Sequence, residues 1–176
     1  MNSLPLLLLL FAVSAAVDLR IDDEDGKVDY SKMHLCPFPE PDQISPCKCY
    51  GDSLYRIHLI CHLQTDLQAD LLSTISRSFD CKSIHYLEFN LGGHKWLAGF
   101  SGEHFSNLAM EKIVTRNISS VEGDWFTENA FNSSTSTLRE FVMEPSSSNG
   151  RGIVSRGAFT GLNKLSLVKL GDICQD

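Results

Sequence analysis

An internal repeat of about 27 residues is the feature that most constrains the fold of this chain. Four segments share an apolar residue, a second at +3 and, in three of the four, a third at +5: Ile84/Leu87/Phe89, Met110/Ile113/Thr115, Leu138/Phe141/Met143 and Leu165/Val168/Leu170. Their first positions are separated by 26, 28 and 27 residues. Because alternate side chains of a strand point to opposite faces, this spacing predicts a short strand in each segment, with the +3 and +5 residues facing a core.

The period also predicts a fold class, because a repeat of roughly 20–29 residues with this apolar pattern is typical of leucine-rich repeats. We expect an α/β solenoid: a horseshoe segment of about four repeats over residues 80–176, the last incomplete, with parallel strands on its concave face. An ordinary α/β domain in which the spacing is coincidental is the alternative. One departure from the pattern is the missing asparagine at +8, where Gly92, Ile118, Ser146 and Ile173 stand instead.

The end of the chain bears on the same prediction. The chain stops at Asp176, soon after the fourth segment, without a recognisable closing cap. The last repeat of a solenoid needs a polar or disulfide-stapled cover, because it otherwise exposes its core. We therefore expect a fragment, a truncated gene model or a subunit that a partner completes.

The N-terminus has the pattern of a secretory signal peptide. The first sixteen residues carry no charged side chain, and the apolar run Leu4–Val13 is followed by the small residues Ser14, Ala15 and Ala16. This run is shorter than the ~20 apolar residues that a transmembrane helix needs. We expect cleavage after residue 15 or 16 and a secreted, extracellular protein without a membrane span.

An acidic segment follows the signal peptide at residues 17–35. It holds six acidic residues between Asp18 and Asp29 and lacks apolar periodicity, which predicts a disordered arm. The whole chain has a net charge of −7 and a pI of about 5.3. Proteins that bind nucleic acid through its phosphates carry basic patches, so a nucleic-acid partner is not expected.

Four of the six cysteines lie close together between the arm and the repeats. Cys36, Cys47, Cys49 and Cys61 fall in a segment rich in proline and turn residues, which we expect to form a cap at residues 36–79 together with an amphipathic helix at 63–75. In an exported chain such cysteines favour two disulfides, with three possible pairings. A zinc site that also uses His58 and His62 is the alternative. Cys81 and Cys174 are left unassigned.

This cysteine pattern ahead of the first repeat resembles the cysteine-rich N-terminal cap of extracellular leucine-rich repeat proteins. The resemblance implies the pairs Cys36–Cys49 and Cys47–Cys61. Together with the motif Ile44-Ser45-Pro46-Cys47-Lys48-Cys49 and the phenylalanine-containing repeats, it extends to secreted arthropod proteins described as similar to the non-catalytic subunit of a shrimp (oplophorus) luciferin 2-monooxygenase. The resemblance therefore implies a protein that does not itself catalyse a reaction.

Catalytic motifs are missing from the sequence. The segment Gly99-Phe100-Ser101-Gly102 is not a nucleophile elbow, and no His-Glu-x-x-His or phosphate-binding loop occurs. We therefore predict no enzyme activity, no cofactor and no metal.

A binding surface is predicted on the concave strand face, where the +2, +4 and +6 side chains of the strands form three columns. Its candidate residues are Tyr86, Glu88, Lys112, Val114, Arg116, Glu140, Val142 and Glu144. Lys112 and Glu140, and likewise Arg116 and Glu144, are expected to pair across neighbouring strands. Tyr86 and Arg116 favour binding over a merely solvated surface, because such side chains often dominate interface energy.

These observations predict a secreted, non-enzymatic binding module whose partner is an extracellular protein or glycan. The alternative is a non-catalytic accessory subunit of a secreted oxidase such as a luciferin monooxygenase, in which case the partner is a catalytic subunit. Two sequons, at Asn117 and Asn132, add predicted N-glycosylation sites, of which Asn132 is the stronger.

Overall fold

The computed structural model describes residues 28–67, 69–79, 83–96, 101, 104–105, 108–121, 124–127, 129–145, 153–154 and 157–170. The chain divides into two compact units, Met1–Ser31 and Lys32–Asp176. The predicted signal peptide, most of the acidic arm, Cys81 and Cys174 lie outside the described residues.

The described residues form eleven strands, one α-helix and three short 3-10 helices. The strands are β1 His34–Leu35, β2 Cys47–Gly51, β3 Ile57–His62, β4 Ser83–Asn90, β5 Lys95–Trp96, β6 Ala109–Ile118, β7 Ser120–Val121, β8 Asp124–Phe126, β9 Glu140–Pro145, β10 Ile153–Val154 and β11 Leu167–Leu170. The α-helix, α1, is Ala69–Ser78, and the 3-10 helices are Tyr30–Lys32, Pro41–Ile44 and Asn132–Ser134. Among the described residues, no helix is long and apolar enough to cross a membrane.

Seven of these strands form one mixed sheet in the order β1-β2-β3-β4-β6-β9-β11. The pairs β1–β2 and β2–β3 are antiparallel, whereas every neighbour from β3 to β11 is parallel. In the parallel part, Leu87 stands beside Ile113, and Ile113 stands beside Phe141. The +3 residues of three neighbouring segments are therefore in register.

The predicted leucine-rich repeat solenoid is wrong. A solenoid of that type repeats one unit, but here the sheet begins with an antiparallel hairpin and the connections between its parallel strands differ from one another. The one helix of the described residues precedes β4, and the later connections contain turns, one 3-10 helix and strands of two small sheets, β5–β7 and β8–β10. The apolar spacing specifies strands and their inward positions, but it does not specify a uniform connection.

The predicted helix at residues 63–75 is also displaced, because α1 begins only at Ala69. In the preceding segment, the Leu63 amide donates to the Asn90 carbonyl, and Leu67 forms a parallel bridge with Trp96. Leu63 and Leu67 are buried by these contacts rather than by a helical face. Pairing with distant residues thus prevents a helix at the start of the predicted range, although the local apolar pattern favours one.

The core lies against the inward face of the sheet and is rich in aromatic side chains. Phe126, Phe131 and Phe141 are fully buried, and the rings of Phe126 and Phe141 meet edge to face with centres 4.9 Å apart. Phe159 packs against all three. Thr115, the one polar residue in the repeated positions, is also buried, and its hydroxyl donates to the Val142 carbonyl.

Two disulfides hold the antiparallel end of the sheet. Cys36 is bonded to Cys49 and Cys47 to Cys61, which are the pairs that the sequence resemblance implies. Cys47 and Cys61 are also paired residues of β2 and β3, so this bond joins adjacent strands. Because these cysteines are bonded to one another, the alternative zinc site on the cysteines is excluded.

Candidate functional site: the outward face of the sheet

The predicted binding residues come together on one face of the sheet, which we call the strand face. Its side chains form three rows across β4, β6, β9 and β11: Tyr86, Lys112, Glu140 and Leu167; Glu88, Val114, Val142 and Lys169; and Asn90, Arg116 and Glu144. Each row consists of residues paired in the strand register, so neighbouring members lie side by side.

Charged side chains of the strand face form cross-strand ion pairs. Lys112 Nζ lies 3.1 Å from Glu140 Oε2, and Arg116 contacts the Glu144 carboxylate. Both pairs were predicted from the sequence, and both are present. The second pair extends further, because Lys169 Nζ lies 3.6 Å from Glu144 Oε1. Cross-strand ion pairs of this kind contribute about 0.2–1 kcal/mol each, so their main effect is to hold the charged groups in place.

Part of the strand face is buried beneath these charges. Tyr86 is 3% exposed and Val114 is 1% exposed, and the Tyr86 hydroxyl donates to Glu88 Oε2 at 2.5 Å. Glu88 also lies 3.6 Å from Arg116 Nε. Burial alone lowers the pKa of Arg116, but the carboxylates of Glu88 and Glu144 raise it above its usual value. Lys112 Nζ lies over the Tyr86 ring, 5.7 Å from its centre, so a partner meets the charged groups and not the tyrosine ring.

The exposed part of the strand face lies toward the β11 edge of the sheet. Leu167 is 44% exposed, and the Lys169 side chain is 59% exposed. Glu140 and Glu144 are each exposed over about a third of their side chains. The surface open to a partner thus alternates in charge and ends at one apolar side chain.

A second polar cluster, which the sequence analysis missed, lies at the β2–β3 turn. Asp52 Oδ1 accepts hydrogen bonds from the amides of Leu54 and Arg56, and Oδ2 accepts one from Arg56 Nε at 2.7 Å. Oδ2 also lies 3.2 Å from His58 Nε2. Burial raises the pKa of Asp52, but the bonds from Arg56, His58 and Leu54 more than offset this and lower it to about 2. Asp52 is therefore a carboxylate that organises the turn.

The two histidines next to this cluster have carboxylate partners of their own. His58 is buried, and burial lowers the pKa of its imidazole despite the hydrogen bond to Asp52. His85 Nδ1 lies 3.0 Å from Glu111 Oε2, and the ring centres of His58 and His85 are 5.3 Å apart. The sequence did carry one signal for this arrangement, since His85 and Glu111 both follow the first residue of their repeated segments.

In the described part of the chain, no group of three or more histidine, cysteine or acidic side chains is arranged to hold an ion. Comparison with models of protein families, with curated proteins and with solved structures gives no match for this chain.

The two sequons differ in their surroundings. Asn132 begins a 3-10 helix with its side chain exposed, whereas Asn117 is exposed but donates through Nδ2 to Asn90 Oδ1 at 3.1 Å. We expect material secreted from eukaryotic cells to carry a glycan at Asn132, because its side chain is exposed. Removal with a glycosidase, followed by site mapping, is the measurement, with Asn132→Gln as the control. An unmodified Asn132 beside a modified Asn117 contradicts the prediction.

Proposed function

We propose that the chain is a secreted, non-enzymatic binding protein that uses the strand face to contact an extracellular protein. The observation that supports this most is the ion-paired surface of Lys112, Glu140, Arg116, Glu144 and Lys169. These pairs hold long side chains in defined positions before a partner arrives, which reduces the entropy that ordering them costs on binding.

The chemistry of the surface indicates the chemistry of the partner. Alternating charges favour a partner with the opposite alternation, because like charges brought together in an interface cost several kcal/mol. The exposed Leu167 at the end of the first row adds an apolar contact, which favours a protein over a glycan. The two disulfides support an oxidising, extracellular setting.

Charge reversal on β9 tests the proposal. The double variant Glu140→Lys and Glu144→Lys is expected to weaken binding by roughly tenfold or more, because it replaces two carboxylates by ammonium groups at the centre of the surface. The immobilised chain is used to isolate a partner from the extracellular medium of its source tissue, and affinity is then measured with the purified partner at several salt concentrations.

The matched control is Asp42→Lys, which also replaces an exposed acidic residue but lies in the 3-10 helix Pro41–Ile44. It is expected to bind as the unmodified chain does. Thermal unfolding of each variant confirms that the fold is intact. Equal loss in the control and the double variant, or no loss in either, contradicts the proposal. A partner that proves to be an oxidase makes the chain an accessory subunit of that enzyme.

A further inference from the structure

We propose that His58 and His85 together bind a transition-metal cation of the Zn²⁺ class. The two residues lie on adjacent parallel strands, β3 and β4, where His58 is paired with Tyr86, the residue after His85. This site is separate from the ion-paired surface, and the proposal does not depend on the function proposed above.

The hydrogen bonds of the two rings leave one nitrogen of each as a ligand. Asp52 accepts a hydrogen bond from His58 Nε2, and Glu111 accepts a hydrogen bond from His85 Nδ1. The lone pair of each neutral ring is then on the other nitrogen, Nδ1 of His58 and Nε2 of His85. Metal-bound histidines are almost always oriented in this way by a carboxylate or carbonyl on the second nitrogen.

The spacing of the rings also fits a shared ion. For Zn–N bonds of about 2.1 Å and tetrahedral coordination, the centres of two ligating imidazole rings lie roughly 5.2 Å apart. The observed separation is 5.3 Å, with the ring planes inclined at 66°. Two imidazoles on adjacent strands thus stand at the distance that one ion requires.

An unsatisfied atom supports the same site. Nδ1 of His58 is buried and is without a hydrogen-bond partner in the described part of the structure. A buried acceptor left unpaired is costly, and a bound cation supplies the missing interaction. His85, by contrast, is partly exposed.

The donor set selects the class of cation. Imidazole nitrogens suit Zn²⁺, Cu²⁺ and Ni²⁺, whereas Ca²⁺ and Mg²⁺ take oxygen ligands. Since the described residues offer no third side-chain ligand in a group with these two, water or a donor from a binding partner completes the coordination. We therefore expect an exchangeable ion and not a structural one.

Calorimetric titration of Zn²⁺ into the full chain, with both disulfides intact and without a histidine tag, tests the proposal. The unmodified chain is expected to bind one ion, and His85→Gln is expected to lose that binding. Glu111→Ala keeps both ligands but removes the group that orients His85, so we expect roughly 10–100-fold weaker binding. Both substituted side chains are partly exposed, so these variants are expected to fold.

The matched control is His62→Gln, which removes an exposed histidine from the same strand as His58. It is expected to bind Zn²⁺ as the unmodified chain does. X-ray absorption of the Zn²⁺ complex supplies a second readout and is expected to show two imidazole ligands and no sulfur. Absence of binding, binding that survives in His85→Gln, or loss of binding in His62→Gln overturns the proposal and leaves the two rings as an edge-to-face packing contact.

Discussion

Replacing Phe141 by alanine is expected to lower the free energy of unfolding by about 3–5 kcal/mol. The side chain is fully buried in β9, and its ring contacts those of Phe126, Phe131 and Phe159. The substitution removes most of a large side chain from a close-packed cluster, so transfer energy and the energy of the cavity both contribute. Urea denaturation followed by circular dichroism measures the change.

The matched control for this variant is Val168→Ala. Val168 is paired with Phe141 in the adjacent strand β11, but it is 41% exposed. A half-exposed valine loses little burial on truncation, so we expect a change of about 1 kcal/mol or less. Equal effects of the two substitutions contradict the placement of the aromatic cluster at the centre of the core.

Removing the bond between Cys47 and Cys61 is expected to lower the free energy of unfolding by about 3 kcal/mol. The bond closes a loop of sequence separation 14, and without it the unfolded chain gains conformational entropy. Both cysteines are also buried, and the core around them loses contacts in the double variant Cys47→Ser and Cys61→Ser. Denaturant unfolding without a reducing agent measures the difference from the unmodified chain.

The double variant Cys36→Ser and Cys49→Ser serves for comparison. Its loop is of nearly the same length, with a sequence separation of 13, but Cys36 is only partly buried. We therefore expect a smaller loss than for the other bond. Non-reducing peptide mapping of the unmodified chain is the direct check of the pairing, and four free thiols in secreted material disprove it.

The cross-strand ion pairs of the strand face were predictable, because they depend only on which strands are neighbours. Lys112 and Glu140 are 28 residues apart, which is the spacing of their segments, so a parallel pairing of those segments places them side by side. The burial of Tyr86 was not predictable, because it depends on the position of the Lys112 side chain over its ring. The contact of His58 with His85 was missed because it joins the hairpin to the first repeated segment, and no spacing relates them.

By itself, the sequence determined which side chains of the first three repeated segments face the core. Strand side chains alternate, so the positions of Leu87, Ile113 and Phe141 follow from local geometry. Only the tertiary structure decided that β1, β2 and β3 pair in antiparallel fashion and what form the segments between the parallel strands take. The segment before α1, for example, depends on the pairing of Leu63 with Asn90 and of Leu67 with Trp96. Such contacts between distant parts of the chain outweigh local patterns, because burial and backbone pairing together exceed helix propensity.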